Sequence, residues 1–142
     1  MRAGMKRAWA DKSGVAALEF AIVAPIFILI VLAIMVYGMY FTVAQSVQQL
    51  AAEAARAAIG GLSDGERQSL AVARANAQVG TYPLLMSEHF VVETGADPSD
   101  PDLFAVTITY NASHLGLTAF SSLLPTPADQ IVRTSIIRRG GL

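Results

Sequence analysis

Gly14 and Glu19 are the residues whose type and spacing point to chemistry, and both lie in the octet Ser13-Gly14-Val15-Ala16-Ala17-Leu18-Glu19-Phe20. Glycine has no side chain to obstruct a protease, so an extended Gly14–Val15 bond is open to cleavage at a membrane face. Glu19 stands at the edge of an apolar run that continues to Ala44. A carboxylate within a spanning helix costs about 2.5 to 3.5 kcal/mol at mid-membrane and marks a functional site by default. A cation is its natural partner, and cleavage after Gly14 would create one in the new amine of Val15. If that amine met Glu19 of an adjacent subunit, two groups that are each costly in lipid would be less costly together. The plainer alternative keeps Gly14 as a linker and Glu19 at headgroup level, where it only complements the helix dipole.

These residues are positioned by a membrane-length helix. Phe20 to Ala44 is 25 residues without a charge, and Thr42 is its only clearly polar side chain. At 1.5 Å per residue the run is roughly 37 Å long, enough to cross a hydrocarbon core of about 30 Å. It is too long for the apolar region of a cleaved secretory signal, which runs to about 7 to 15 residues. Pro25 lies inside it and Tyr37, Tyr40 and Phe41 near its outer end, where aromatic rings favour the interface. The organisation expected is a basic leader over residues 1–14, a transmembrane helix over 15–44 and an extracytoplasmic domain over 45–142.

Charge supports that order. The leader carries Arg2, Lys6, Arg7 and Lys12 against Asp11, net +3, whereas the remainder carries six arginines against ten acids, net −4. Cations flanking a span favour the cytoplasmic side, so the chain is expected N-in and C-out. The acidic remainder offers no electrostatic reason for nucleic-acid binding. The absence of cysteine excludes disulfides, thiolate metal sites and a cysteine nucleophile. The 54% hydrophobic content and mean hydropathy of +0.48 exceed what a soluble domain needs, and the excess sits between Val15 and Ala44.

Beyond the span the pattern reads as α+β. Helix is expected to persist to a stop at Gly60-Gly61, with Val43, Val47, Leu50, Ala54 and Ala58 as a narrow apolar stripe and Glu53 spaced to pair with Arg56. Ser63 and Glu66 form a capping box opening a second helix to about Val79, whose buried face would be Leu70, Ala73 and Ala77, with Val72 and Val79. Phe90–Thr94, Leu103–Tyr110 and Ile131–Arg138 read as three short strands of an antiparallel sheet, the first two joined by a loop over Gly95–Asp102. Leu115 to Leu124 reads as a loop or short helix covering the sheet.

No catalytic constellation is evident: phosphate-loop, nucleophile-elbow and zinc-helix motifs are all missing from the sequence. Asp97, Asp100 and Asp102 cluster in a loop that could hold Ca²⁺, but they lack EF-hand spacing and carboxylate-rich turns are usually just solvated; His89 and His114 lack metal-ligand spacing and read as surface or packing residues. Neither a cofactor nor a metal is expected.

The segment Ser13 to Phe27, with the basic leader before it and the alanine-rich Gln45–Ala58 stretch after the span, resembles the TadE-like minor pseudopilins of the bacterial tight-adherence (Tad, Flp-type) pilus system. The resemblance implies cleavage after Gly14 by an inner-membrane prepilin peptidase, with Glu19 and Phe20 as the fifth and sixth mature residues. It also implies a part in assembling adhesive pili rather than forming the bulk of the filament. The implied partners are the peptidase, other Tad pilins and pseudopilins, an inner-membrane assembly platform and membrane lipid. The implied location is the inner membrane, N-terminus cytoplasmic and domain periplasmic, with incorporation into the pilus open. The reading from another class is an unprocessed single-span envelope protein whose ectodomain binds a ligand or partner.

Overall fold

The computed structural model describes residues 12–139, so most of the basic leader lies outside the described residues. The first helix, α1 (Lys12–Ala58), is 47 residues long and contains Pro25. It is followed by α2 (Asp64–Gln78), then strands β1 (Phe90–Asp97), β2 (Asp100–Asn111) and β3 (Gln130–Arg138), with short 3₁₀ turns between. The chain divides into two compact units, the second beginning at Tyr37.

In the first unit most described apolar side chains face outward, Val36 being a buried exception. Phe20 is 72% exposed and Ile34 67%, and Ile22, Phe27 and Ile30 are likewise exposed. A helix apolar on every side, with its backbone bonds closed internally, is one of the two solutions that can cross lipid.

The second unit is an α+β domain. Val43, Val47, Leu50, Ala54 and Ala58 are fully buried, as the stripe on α1 predicts, and Ala44, Ala51 and Ala55 widen it. They share one core with Ala71, Ala75 and Val79 and with the inner face of the sheet, Phe104, Val106, Ile108, Tyr110 and Ile131. The alanines matter because a small side chain lets backbones approach while still removing apolar area from water. Thr42 and Ser46 on the same helix donate to the carbonyls of Gly38 (2.8 Å) and Thr42 (2.9 Å), one turn back. Their hydroxyls are thus satisfied without a tertiary partner.

The capping box forms. Ser63 Oγ accepts from the Glu66 amide (3.2 Å), while the Glu66 carboxylate reaches back to the Leu62 amide (2.9 Å). The buried face of α2 differs from the expected one: Arg67, Ala71 and Ala75 are buried, continued by Val79, whereas Leu70, Ala73 and Ala77 are exposed. The buried row runs at steps of four, with Leu70 on its flank.

The three strands pair antiparallel in the order β1-β2-β3. The loop expected over Gly95–Asp102 is instead mostly strand: Gly95 pairs with Ala105, Ala96 with Phe104 and Asp97 with Asp100, leaving Pro98-Ser99 as the turn. Pro101 is accommodated because the register shifts between Ala96 and Asp97, and proline, which has no amide to donate, fits such an irregularity.

Gly60 and Gly61 do end α1, but not through a left-handed backbone; among the described glycines only Gly116 has a positive φ, 65°. Gly61 is needed for space. A Cβ there would lie 2.7 Å from both the amide nitrogen and Cγ of Arg67. We therefore expect Gly61→Ala to destabilise the folded domain by roughly 1–3 kcal/mol, the usual cost of overpacking, in denaturant unfolding of the full chain in detergent. Gly60→Ala, whose Cβ would meet nothing closer than 3.8 Å, is the control.

Candidate functional site

The motif residues lie together at the start of α1. Gly14, Val15, Glu19 and Phe20 are all exposed, and a Cβ built on Gly14 would meet nothing within 4 Å. Among the described residues nothing crowds the bond after Gly14, but the bond is helical rather than extended, since Gly14 lies within α1. Glycine weakens a helix by about 1 kcal/mol relative to alanine, which lowers the cost of opening the backbone at this position. Among the described residues Glu19 has no ion-pair partner. Pro25 sits inside α1 without ending it; lacking an amide, it leaves the Ala21 carbonyl without its usual donor.

Tyr37 and Tyr40 are engaged by the domain. The Tyr37 hydroxyl donates to the Pro125 carbonyl at 2.6 Å, and Tyr40 packs partly buried against the core. Phe41 lies beside both, its ring centroid 6.5 Å from Tyr37 and 5.9 Å from Tyr40.

Three polar clusters stand outside the motif. In the first, the fully buried Tyr110 accepts from the Met86 amide (3.1 Å), donates to the Leu84 carbonyl (3.0 Å) and lies 3.3 Å from His114 Nε2. Leu84 itself has a positive φ of 66°, an uncommon conformation for a branched side chain, in the turn that follows Pro83. His89 stacks on His114, centroids 4.5 Å apart and planes within 4°. Burial raises the Tyr110 pKa, outweighing the opposing Met86 hydrogen bond, and this keeps the hydroxyl a neutral donor.

The second cluster replaces an expected contact. Glu53 does not pair with Arg56; it accepts from Arg74 (3.2 Å) and from the Tyr82 hydroxyl (2.9 Å). Tertiary neighbours thereby tie α1 to α2 and to the turn beyond it, and burial followed by the Glu53 bond raises the Tyr82 pKa. Arg56 is left exposed on a groove lined by Glu53, Ala57 and Arg74. In the third cluster Asp64 bridges Arg67 (3.1 Å) and Arg139 (2.9 Å), linking α2 to the end of β3.

The aspartates of the hairpin are spent on their own turns. Asp97 accepts from both the amide and the hydroxyl of Ser99, and Asp100 from the Asp102 amide (2.8 Å). Among the described residues no three or more His, Asp or Glu side chains gather into a group that could hold a metal.

Sequence reasoning anticipated the motif and missed these clusters. Tyr110 had a usable signal, being the last inward member of the alternating Phe104, Val106, Ile108, Tyr110 series. The histidine stack had none, since its members are joined only by the sheet and the turn after it.

Fold and site together define a single apolar helix, with a glycine and a glutamate at its start, leading into a small α+β domain. Residues 14–56 match the family model described as TadE-like protein, so the segment from the motif to Arg56 is TadE-like. That match covers less than a third of the chain. No curated protein and no solved structure matches it.

Two measurements probe the geometry. Tyr110→Phe should lower unfolding stability by roughly 0.5–1.5 kcal/mol, because the hydrogen bonds that tie Tyr110 to the Met86 amide and the Leu84 carbonyl are lost. Calorimetry of the full chain in detergent would register this. The Ser99 hydrogen bonds, hydroxyl first, lower the Asp97 pKa below 3.8, so the turn's contribution is present above that pH and lost as pH falls through the folded-state value. An NMR titration should place the Asp97 midpoint below 3.8, and Ser99→Ala should move it back toward 3.8.

Proposed function

We propose that this chain is a minor pseudopilin of a Tad/Flp-type adhesive pilus, a structural component rather than an enzyme. In this reading a prepilin peptidase of the inner membrane removes residues 1–14. The mature chain is anchored by α1, with its N-terminus cytoplasmic and its domain periplasmic. Lateral contacts with other Tad pilins and pseudopilins are made by the apolar helix, Phe20 and Pro25 included, and the domain selects partners at the assembly platform. The observation that carries the reading is the TadE-like match over residues 14–56, which runs from the glycine of the cleavage motif through the apolar helix.

The geometry is consistent with each step. Gly14 is uncrowded among the described residues and, as a glycine, weakens the helix at that point, and Glu19 is exposed on an apolar surface where a cation would lower its cost. The amine of Val15 in a neighbouring processed subunit is such a cation. Tyr110 and Tyr82, whose hydroxyls burial holds protonated, serve as donors that fix loops and not as bases.

N-terminal sequencing of the protein from cells with an active prepilin peptidase should begin at Val15, and from cells lacking it upstream of Val15. A chain beginning upstream of Val15 in both would favour the unprocessed envelope protein with a ligand-binding ectodomain. Glu19→Ala should insert into the membrane as the parent does, yet reduce piliation several-fold. Normal pilus counts would return Glu19 to a headgroup-level carboxylate with no part in assembly.

A further inference from the structure

The chain from Leu115 to Ala128 carries no charged side chain. It folds as two short 3₁₀ turns, Ser113–Leu115 and Leu117–Phe120, and then a tight loop. Leu117 is buried and anchors the segment, whereas Leu123 at the tip is 59% exposed. The position of the tip is fixed by the bond from the Tyr37 hydroxyl to the Pro125 carbonyl. Tyr37 is the residue of α1 at which the domain begins. Immediately before it on the helix, Ile34 and Met35 point outward, and one turn beyond it Phe41 is 60% exposed.

We propose that the loop over residues 120–125 is a membrane-surface contact of the domain. It rests in the headgroup region of the bilayer that α1 crosses, with Leu123 and Phe41 inserted and Tyr37 holding the loop at that depth. The inference rests on the membrane anchoring of α1.

Lipid, rather than water or a charged protein face, is the occupant the chemistry favours. Polar backbone entering an apolar region must have its donors satisfied. Here the Ser121 amide donates to the Thr118 carbonyl (3.0 Å), and the Leu123 and Leu124 amides both donate to the Phe120 carbonyl (2.9 Å each). Pro125 and Pro127 have no amide to satisfy. Tyr37 and Phe41 belong in sequence to the uncharged run Phe20–Ala44 that the membrane reading places in lipid. Tyrosine beside exposed apolar side chains is also the composition found at membrane interfaces.

The absence of cysteine makes the test direct, because single-cysteine variants of the full chain label at one site. Ile28→Cys, Leu123→Cys and Ser99→Cys would each carry a nitrobenzoxadiazole probe in phosphatidylethanolamine–phosphatidylglycerol vesicles containing lipid with a nitroxide at the headgroup for positions 123 and 99, and along the acyl chain for position 28. The expected result is quenching at position 123 at least half as strong as at position 28, with little at position 99. Quenching at 28 together with a water-exposed, unquenched probe at 123 would overturn the loop contact while leaving the anchor intact. A blue-shifted but unquenched probe at 123 would assign the loop to a protein neighbour and equally overturn it. No quenching at 28 would remove the anchoring reading, and this inference with it.

Discussion

The face of α1 formed by Val43, Val47, Leu50, Ala54 and Ala58 is the surface on which the rest of the domain depends. These side chains are fully buried, and α2 and the inner face of the sheet share their core. With 98 residues from position 45 onward and no disulfide, the domain must be held by packing alone, and a smaller domain buries a smaller share of its surface. Close packing against small residues provides that hold. Alanine at 51, 54, 55, 58, 71 and 75 lets backbones approach, and Gly61 extends the same logic to the turn between the helices.

Polar side chains then secure what the core brings together. Glu53 receives Arg74 and the Tyr82 hydroxyl, Asp64 receives Arg67 and Arg139, and Tyr110 holds the strained turn at Leu84 while touching His114. Each cluster joins segments distant in the chain, and none gathers a nucleophile with a base that could activate it. Raised tyrosine pKa values belong to this architectural role, because a phenol buried beside a carbonyl or a carboxylate is useful only while it keeps its proton. The functional proposal therefore rests on α1 and its opening motif, while the domain supplies shape and surface.

The elements were legible where one periodicity dominated. Steps of three and four on α1, the Ser63–Glu66 box and the alternation from Phe104 to Tyr110 each point to a single local structure, and each formed. Periodicity alone does not say which side of α2 meets the core: Leu70, Ala73 and Ala77 fit a helical stripe, yet Ala71, Ala75 and Val79 are the buried ones. Gly95–Asp102 was read as a loop because proline and aspartate are poor strand formers, yet a register shift lets Pro101 lie within β2 without donating. Glu53 was matched to its helical neighbour Arg56, whereas Arg74 and Tyr82 approach from outside the helix.

The chain's linear order alone determined the octet around Gly14, the uncharged run after it, the charge difference across it and the α+β class, because these depend on composition and on repeats of two and 3.6 residues. Tertiary structure decided which alanines are buried, which carboxylate meets which arginine, that His89 and His114 stack, and that Tyr37 reaches Pro125. Residues 37 and 125 carry no mutual signal in the sequence. Their contact exists because packing on α1 brings back a segment 88 positions away.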